Sequence, residues 1–264
     1  MPDGSLVHKG VQYTLEGTTW FVLPNQVIKA GAFVGCSTDI IIGENITLNR
    51  WAFHEGEQSS SVTSVTFHQS VKSIPTEMFI ACPQLQKVTG KGITHLGDNV
   101  FELSGVQSVD IPNLQHMGKS CFALCSQLEK IKFELVGSVK DKTFQGCTSL
   151  TSVVLPRVNY IDERAFADCS LLTEVKMERC LTVGPYAFLS CKSLQSISVP
   201  NAVAIGQYAF MNSGLKEIKL PKTNLIGDGA FMGCVSLGEV VLPNVLKMGM
   251  KVFDGCTYSK STEP

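Results

Sequence analysis

Leu172 to Cys191 reads LTEVKMERCLTVGPYAFLSC, and its pattern of apolar residues, an Ala-Phe pair and a closing Cys recurs along almost the entire chain. The most regular marker is Phe, found at Phe33, Phe53, Phe79, Phe101, Phe122, Phe144, Phe166, Phe188, Phe210, Phe231 and Phe253. The steps between them are 20, 26, 22, 21, 22, 22, 22, 22, 21 and 22 residues. A period in this range is the signature of a solenoid, in which each unit buries its apolar face only by stacking on its neighbours. The Phe column, with Phe122, Phe144, Phe166, Phe188, Phe210 and Phe231 at its most regular, is therefore the expected spine of the core.

Other positions keep the same register. Five residues before each Phe the side chain is apolar without exception, from Ile28 and Leu48 to Ile226 and Met248, and this position is expected inside. Three residues after the Phe stands Cys in eight repeats and Gly56, Ser104 or Ser213 in the others, so a small side chain is required there. A short alternating run follows, such as Leu128-Glu-Lys-Ile131-Lys-Phe133, which reads as a half-buried strand. Pro often comes next, as at Pro112, Pro156, Pro200, Pro221 and Pro243; having no N–H to extend the ladder, it marks the strand's end. The expected fold is mainly β with short helical turns: about eleven repeats of ~22 residues, one parallel strand in each, and a tight helical turn or loop around the Ala-Phe pair. Ser104-Gly105-Val106 and Ser213-Gly214-Leu215 are each one residue shorter than Cys-x-x-Leu, which predicts a remodelled turn at both places.

Residues 1–23 read as an amino-terminal capping hairpin, with Tyr13 and Trp20 in the cap's own core; 24–256 as the solenoid; and 257–264 as a tail or chain end. The 26-residue step after Phe53 comes from extra polar residues between His54 and Ser61, expected to protrude as a flexible loop. The 264 residues are 44% hydrophobic and 17% charged, with a formal net charge of −1, which gives no bias towards nucleic acid or anionic membrane. No 18-residue apolar run exists, and the start MPDGSLVHKG lacks the apolar core of a secretory signal. Of the ten Cys, eight follow the Phe column, Cys121 replaces the Ala of the Ala-Phe pair, and Cys180 takes an interior place equivalent to Val158. All are explained as small buried hydrophobes, with free thiols favoured over disulfides between stacked repeats.

Written out as L-x-x-(I/V)-x-(L/I)-P-x-x-x-x-I-G-x-x-A-F-x-x-C, as in Leu194-Gln-Ser-Ile197-Ser-Val199-Pro200 followed by Ile205-Gly206-Gln-Tyr-Ala209-Phe210, the unit resembles the BspA-type leucine-rich repeats over roughly residues 24–256. That resemblance implies a right-handed curved solenoid. It also implies an interaction module, since many members are surface proteins that adhere to host matrix proteins or other cells; it offers no catalytic residues to carry over. The resemblance points to the cell surface, whereas the missing signal and the expected free thiols point to the cytoplasm.

No catalytic residue, metal site or cofactor is expected. His8, His54, His68, His95 and His116 form no H-E-x-x-H or i, i+4 pair, and Gly90-Lys91-Gly92 is better read as a turn than as a phosphate loop. What remains is the outward face of the strands. Period-two alternation places Lys132, Val154, Lys176, Ser198, Lys219 and Val241 in one exposed column, with Lys130, Ser152, Glu174, Ser196, Glu217 and Glu239 beside it. The turn side is expected to be a set of separate turns without a comparable surface. The chain thus reads as a non-enzymatic module that binds a macromolecular partner through this strand face. A protein partner is expected, with glycan as a second class; nucleic acid and a membrane span are not. The chain is expected to be a monomer or a weak end-to-end dimer. The alternatives are a self-assembling structural array and the recognition part of a larger enzyme lying outside this chain.

Overall fold

The computed structural model describes residues 5–55 and 58–257, so the tail read over 257–264 lies, except for Thr257, outside the described residues. The chain divides into two compact units, Met1–Leu128 and Glu129–Pro264. Each is a stretch of β-solenoid, and no helix occurs among the described residues.

In the first unit a seven-stranded sheet runs in the order Leu6–His8, Val11–Glu16, Thr19–Val22, Ile40–Ile42, Ser64–Phe67, Lys87–Thr89, Ser108–Asp110. Its first three strands are antiparallel, and from Thr19–Val22 onward every neighbour is parallel. A hairpin can join antiparallel strands, but parallel ones need a full solenoid turn between them. Tyr13 and Trp20 stack 3.9 Å apart on this opening ribbon, with His8 edge-on to Trp20. A second ladder joins Ser73–Ile74, His95–Leu96 and His116–Met117, all in parallel register.

The second unit repeats the plan. Lys130–Lys132, Ser152–Val154 and Glu174–Lys176 form one parallel ladder, and Glu217–Lys219 pairs with Glu239–Val241. Six two-residue strands, from Ser138–Val139 to Lys247–Met248, form another. Each repeat therefore contributes a second, two-residue strand that ends on the apolar position five before the Phe, beyond the one strand legible in the sequence.

Gly follows that position in many repeats because the chains come into close contact there. A Cβ on Gly184 would stand 2.5 Å from the Ile161 carbonyl oxygen, and one on Gly206 would stand 2.6 Å from the Gly184 backbone.

The Ala-Phe segments are not helical turns. The residues two before and two after the Phe have left-handed backbone, as at Glu77 and Ala81, Tyr186 and Ser190, and Tyr208 and Asn212. With a left-handed residue on each side of the Phe, N–H groups that a helix would turn along its axis instead point at the next repeat. Tyr186, Phe188 and Ser190 donate to the carbonyls of Gln207, Ala209 and Met211 at 2.9, 2.7 and 2.8 Å. Glu77, Phe79 and Ala81 do the same to Asp98, Val100 and Glu102. A non-glycine residue in this conformation costs on the order of 1 kcal/mol, which hydrogen bonds worth about 1 kcal/mol each offset. The turn side is consequently a third ladder, continuous from Lys142 to Asp254 in the second unit and in the first running from Gly31 to Ala52 and again from Glu77 to Ala123, and the expectation of separate turns is corrected.

The Phe rings fill the core. Ten are fully buried, and Phe253 is half-buried. In the second unit successive rings from Phe144 to Phe253 stack with centroids 5.1–5.4 Å apart and planes within 11° of parallel. The 26-residue step breaks this order, and Phe53 and Phe79 are tilted by 43°. The polar stretch that causes it folds back on the unit: His54–Glu55 pairs antiparallel with Gln58–Ser59, and Glu55 reaches Lys9 at 3.2 Å. Among the described residues the stretch read as a protruding flexible loop is a short antiparallel hairpin. The apolar position five before the Phe is buried in most repeats, but Leu48 is half-buried and Met248 is exposed, because Met248 has packed repeats on only one side among the described residues.

All ten Cys are free thiols. Cys125, Cys169, Cys191, Cys234 and Cys256 donate to the carbonyls of Phe101, Phe144, Phe166, Phe210 and Phe231 in the preceding repeat at 2.9–3.2 Å. In the two short repeats Ser104 and Ser213 keep a hydroxyl there, contacting the sulfurs of Cys125 and Cys234. Cys and Ser at this position are small and can also donate.

Candidate functional site

Strand alternation sends Ile131, Val153, Val175 and Ile218 inward and their neighbours outward, since successive side chains on a strand point to opposite faces. Register then sets the columns. Lys130 lies beside Ser152 and Ser152 beside Glu174, while Lys132, Val154 and Lys176 form the parallel row. A single bridge continues this row from Lys176 to Ser198. Glu217 pairs with Glu239, and Lys219 with Val241. Lys130, Lys132, Glu174, Lys176, Ser198, Lys219 and Val241 are exposed, and Val154 and Glu217 half-buried.

The charges on this face are paired. Lys176 holds Glu174 at 2.6 Å, and Ser152 donates to the same carboxylate at 2.7 Å. Lys219 lies between Glu217 at 3.1 Å and Glu239 at 3.2 Å, and Lys132 meets Glu134 at 3.1 Å. The hydrogen bonds from Lys176 and then Ser152 hold the Glu174 carboxyl below its ordinary range. The bond to Glu174 raises Lys176, and those to Glu217 and Glu239 raise Lys219. The opposite charges of this face lie within a few ångströms of one another. Such a surface presents a mosaic of charge rather than a field of one sign.

The ladder opens at one place. Residues 195–199 join the Glu174–Lys176 strand only through the Ser198 bridge, and no ladder joins them to Glu217–Lys219. This gap precedes the short repeat at Ser213-Gly214. A groove of about 320 Å³ lies there, lined by Ser196, Ile197, Ser198, Val199, Pro200, Glu217, Lys219 and Pro221. The structure thus brings Ser198, Glu217 and Lys219 together around one concavity, while Lys130, Lys132, Val154, Glu174 and Lys176 form a flatter sheet.

Features the sequence reading passed over stand elsewhere. In the first unit a groove of about 370 Å³ is lined by Ile41, Thr66, Phe67, His68, Thr89 and neighbouring residues. His95 and His116 stack with centroids 4.5 Å apart on adjacent parallel strands. Both occupy the place six before a Phe, so the repeat register carried that pairing. In the second unit Arg164 lies 5.1 Å over Tyr186, which stacks on Tyr208 along the turn ladder. Among the described residues no group of three or more His, Cys, Asp or Glu could hold a metal ion, and no helix is long and apolar enough to cross a membrane.

A model of the BspA type leucine rich repeat region matches in six copies, over residues 13–129, 47–171 and 137–260. No curated protein matches. Among solved structures, a leucine-rich repeat protein from Bacteroides ovatus is similar at 21% identity and a TM-score of 0.57, the match covering 96% of this chain and 83% of that one. A leucine rich cell surface protein from Faecalibacterium prausnitzii is similar at 20% identity and a TM-score of 0.53, covering 95% and 80%. At these identities the likeness speaks for the fold alone. With the family model spanning both units, this chain belongs to the BspA-type leucine-rich repeat family.

Proposed function

We propose that the chain is a binding module without catalysis of its own, which engages a protein partner through the exposed strand columns of the Glu129–Pro264 unit. The observation that carries this reading is the register of Lys132, Val154, Lys176 and Ser198 along one rigid row, ending at the groove beside Glu217 and Lys219. Side chains held by a continuous ladder lose little further freedom on binding, which lowers the entropic cost of association. Paired charges favour a protein surface of complementary mosaic over nucleic acid or an anionic membrane. Burial also pushes the thiols of Cys82 and Cys125 up to about 12, which keeps them protonated and poorly nucleophilic near neutrality.

Two variants test the reading. Lys132→Glu with Lys176→Glu leaves circular dichroism and melting unchanged, because exposed substitutions shift stability by about 0.5 kcal/mol or less. It also reduces capture of the protein partner found by affinity pull-down more than tenfold. Ser198→Trp, which fills the groove, has the same effect on capture. Capture at wild-type strength by both variants, together with its loss on deleting residues 55–61, would move the site to that polar segment.

A second reading is favoured by one observation. Leu246, Met248 and Met250 are exposed together on the last described turns, Leu246 at 87% and Met250 at 74%. An apolar cluster of this kind suits end-to-end self-association. Sedimentation at rising concentration tests it: Leu246→Glu with Met250→Glu abolishes any dimer while leaving partner capture intact.

A further inference from the structure

We infer that the outward side of the two-residue ladder in the Glu129–Pro264 unit docks an amphipathic helix of a partner protein, one whose apolar face is bordered by acidic residues. This ladder runs unbroken from Ser138–Val139 to Lys247–Met248, on a different side of the repeat from the strand row. Its inward residues Ile161, Val183, Ile205 and Ile226 are buried. Its outward positions carry an apolar stripe, in which Tyr160, Val203 and Leu225 are exposed and Leu181 is half-buried. The Leu181 carbonyl accepts from Val203 at 2.8 Å, and the Val203 carbonyl from Leu225 at 3.3 Å, so these residues stand on successive strands. Tyr160 pairs with Thr182, next to Leu181. The fold does not require apolar side chains there, because in the first unit the equivalent place holds Ser73, His95 and His116.

Charge sets the partner's chemistry. Arg157, Arg179 and Lys222 occupy equivalent places just before this ladder, and Arg179 is separated from Leu181 only by the buried Cys180, so alternation turns both outward. All three cations are exposed, and among the described residues none is in an ion pair, whereas Lys132, Lys176 and Lys219 on the strand row are all paired. Lys222 donates to the neutral side chain of Asn201 at 2.7 Å, which leaves its charge uncompensated. One acid, Glu178, stands beside Arg179, so this border stays net positive. On the opposite border the acids are engaged: Asp162 lies 3.9 Å from Lys140, Glu163 lies 3.8 Å from Arg164, and Asp228 accepts from the Met250 N–H at 2.8 Å. Unpaired cations along exposed apolar surface complement carboxylates on a partner. Backbone pairing then selects a helix. Every strand of the stripe has a neighbour on both sides, so an incoming extended chain would find no free edge and would leave its own N–H and C=O groups unpaired, whereas a helix satisfies its own. Crossing from Tyr160 to Leu225 takes three strand steps, about 14 Å, or roughly nine residues of helix. A membrane plane fits less well, because it would also press on Glu163 and Asp228 across the stripe.

The test is fluorescence anisotropy of the full chain with a labelled synthetic helix that carries Leu on one face and Glu along its flank, set against the same peptide with Lys in place of Glu. The acidic peptide binds at micromolar concentration, and the Lys peptide at least tenfold more weakly. Arg157→Glu with Arg179→Glu, and separately Val203→Glu, weaken binding of the acidic peptide more than tenfold while circular dichroism and melting stay as in wild type. Added salt weakens it too, because the ion pairs form at an exposed border. Lys132→Glu with Lys176→Glu leaves the peptide's affinity unchanged, so this stripe and the strand row stand or fall separately. Equal binding of the two peptides, wild-type affinity in both stripe variants, or no binding below millimolar peptide would overturn the inference. Sedimentation with vesicles of phosphatidylcholine and phosphatidylserine, lost in Val203→Glu, in place of peptide binding would assign the stripe to an anionic membrane instead.

Discussion

Phe166 shows what a single residue does in this fold. Its ring is fully buried, with Phe144 at 5.1 Å on one side and Phe188 at 5.2 Å on the other. Truncation leaves a cavity that two rigid stacks cannot collapse into, so Phe166→Ala should cost about 3–5 kcal/mol in denaturant unfolding. The thiols respond to pH. Burial pushes Cys125 up to about 12, well above an unfolded thiol. As pH rises above about 9 the unfolded chain gives up that proton and the folded chain keeps it, so stability falls with pH. The slope from Cys125 alone is about 1.4 kcal/mol per pH unit until its folded value is reached. The urea midpoint should therefore drop steadily from about pH 9 to pH 11, and a thiol reagent at pH 8 should label the native protein far more slowly than the unfolded one. Equal labelling rates would contradict the buried ladder.

At the scale of the element, each repeat is held by its strands and its left-handed turn ladder. The two-residue strand works only because Gly lets successive chains close up, as at Gly206 over Gly184. Gly206→Val should destabilise by about 1–3 kcal/mol, the usual cost of forcing atoms into a packed site; a melting temperature within error of wild type would refute the close-contact account. The turn ladder was not legible in the residues. Ser190 and Tyr208 carry no signature of left-handed backbone, and it is hinted at only where Gly or Asn stands at these places, as at Gly31, Gly146, Gly233 and Asn212. Neighbouring repeats impose that conformation through three hydrogen bonds each, so its cause lies outside the repeat that adopts it.

For the molecule as a whole, nearest-neighbour stacking dictates how damage spreads. In a repeat array stability is approximately a sum over units and their interfaces. Amide exchange in Phe166→Ala should rise most in the repeats of Phe144 and Phe188 and fade towards Phe253. Uniform loss of protection throughout the Glu129–Pro264 unit would show instead that it unfolds as one cooperative block. The strand row belongs to this scale too, because it draws residues from separate repeats.

Sequence alone determined the repeat length, the Phe spine, the buried Cys column and the alternation that puts Lys132, Lys176 and Lys219 outside. These follow from which side chains avoid water, and that preference is written residue by residue. Tertiary structure decided the rest: that the turns join into a ladder, that Lys219 is shared by Glu217 and Glu239, and that the strand row opens beside Ser198. Each of these depends on contacts between residues about one repeat apart. Their distances are set by how the backbones stack, and no local pattern in the chain encodes that stacking.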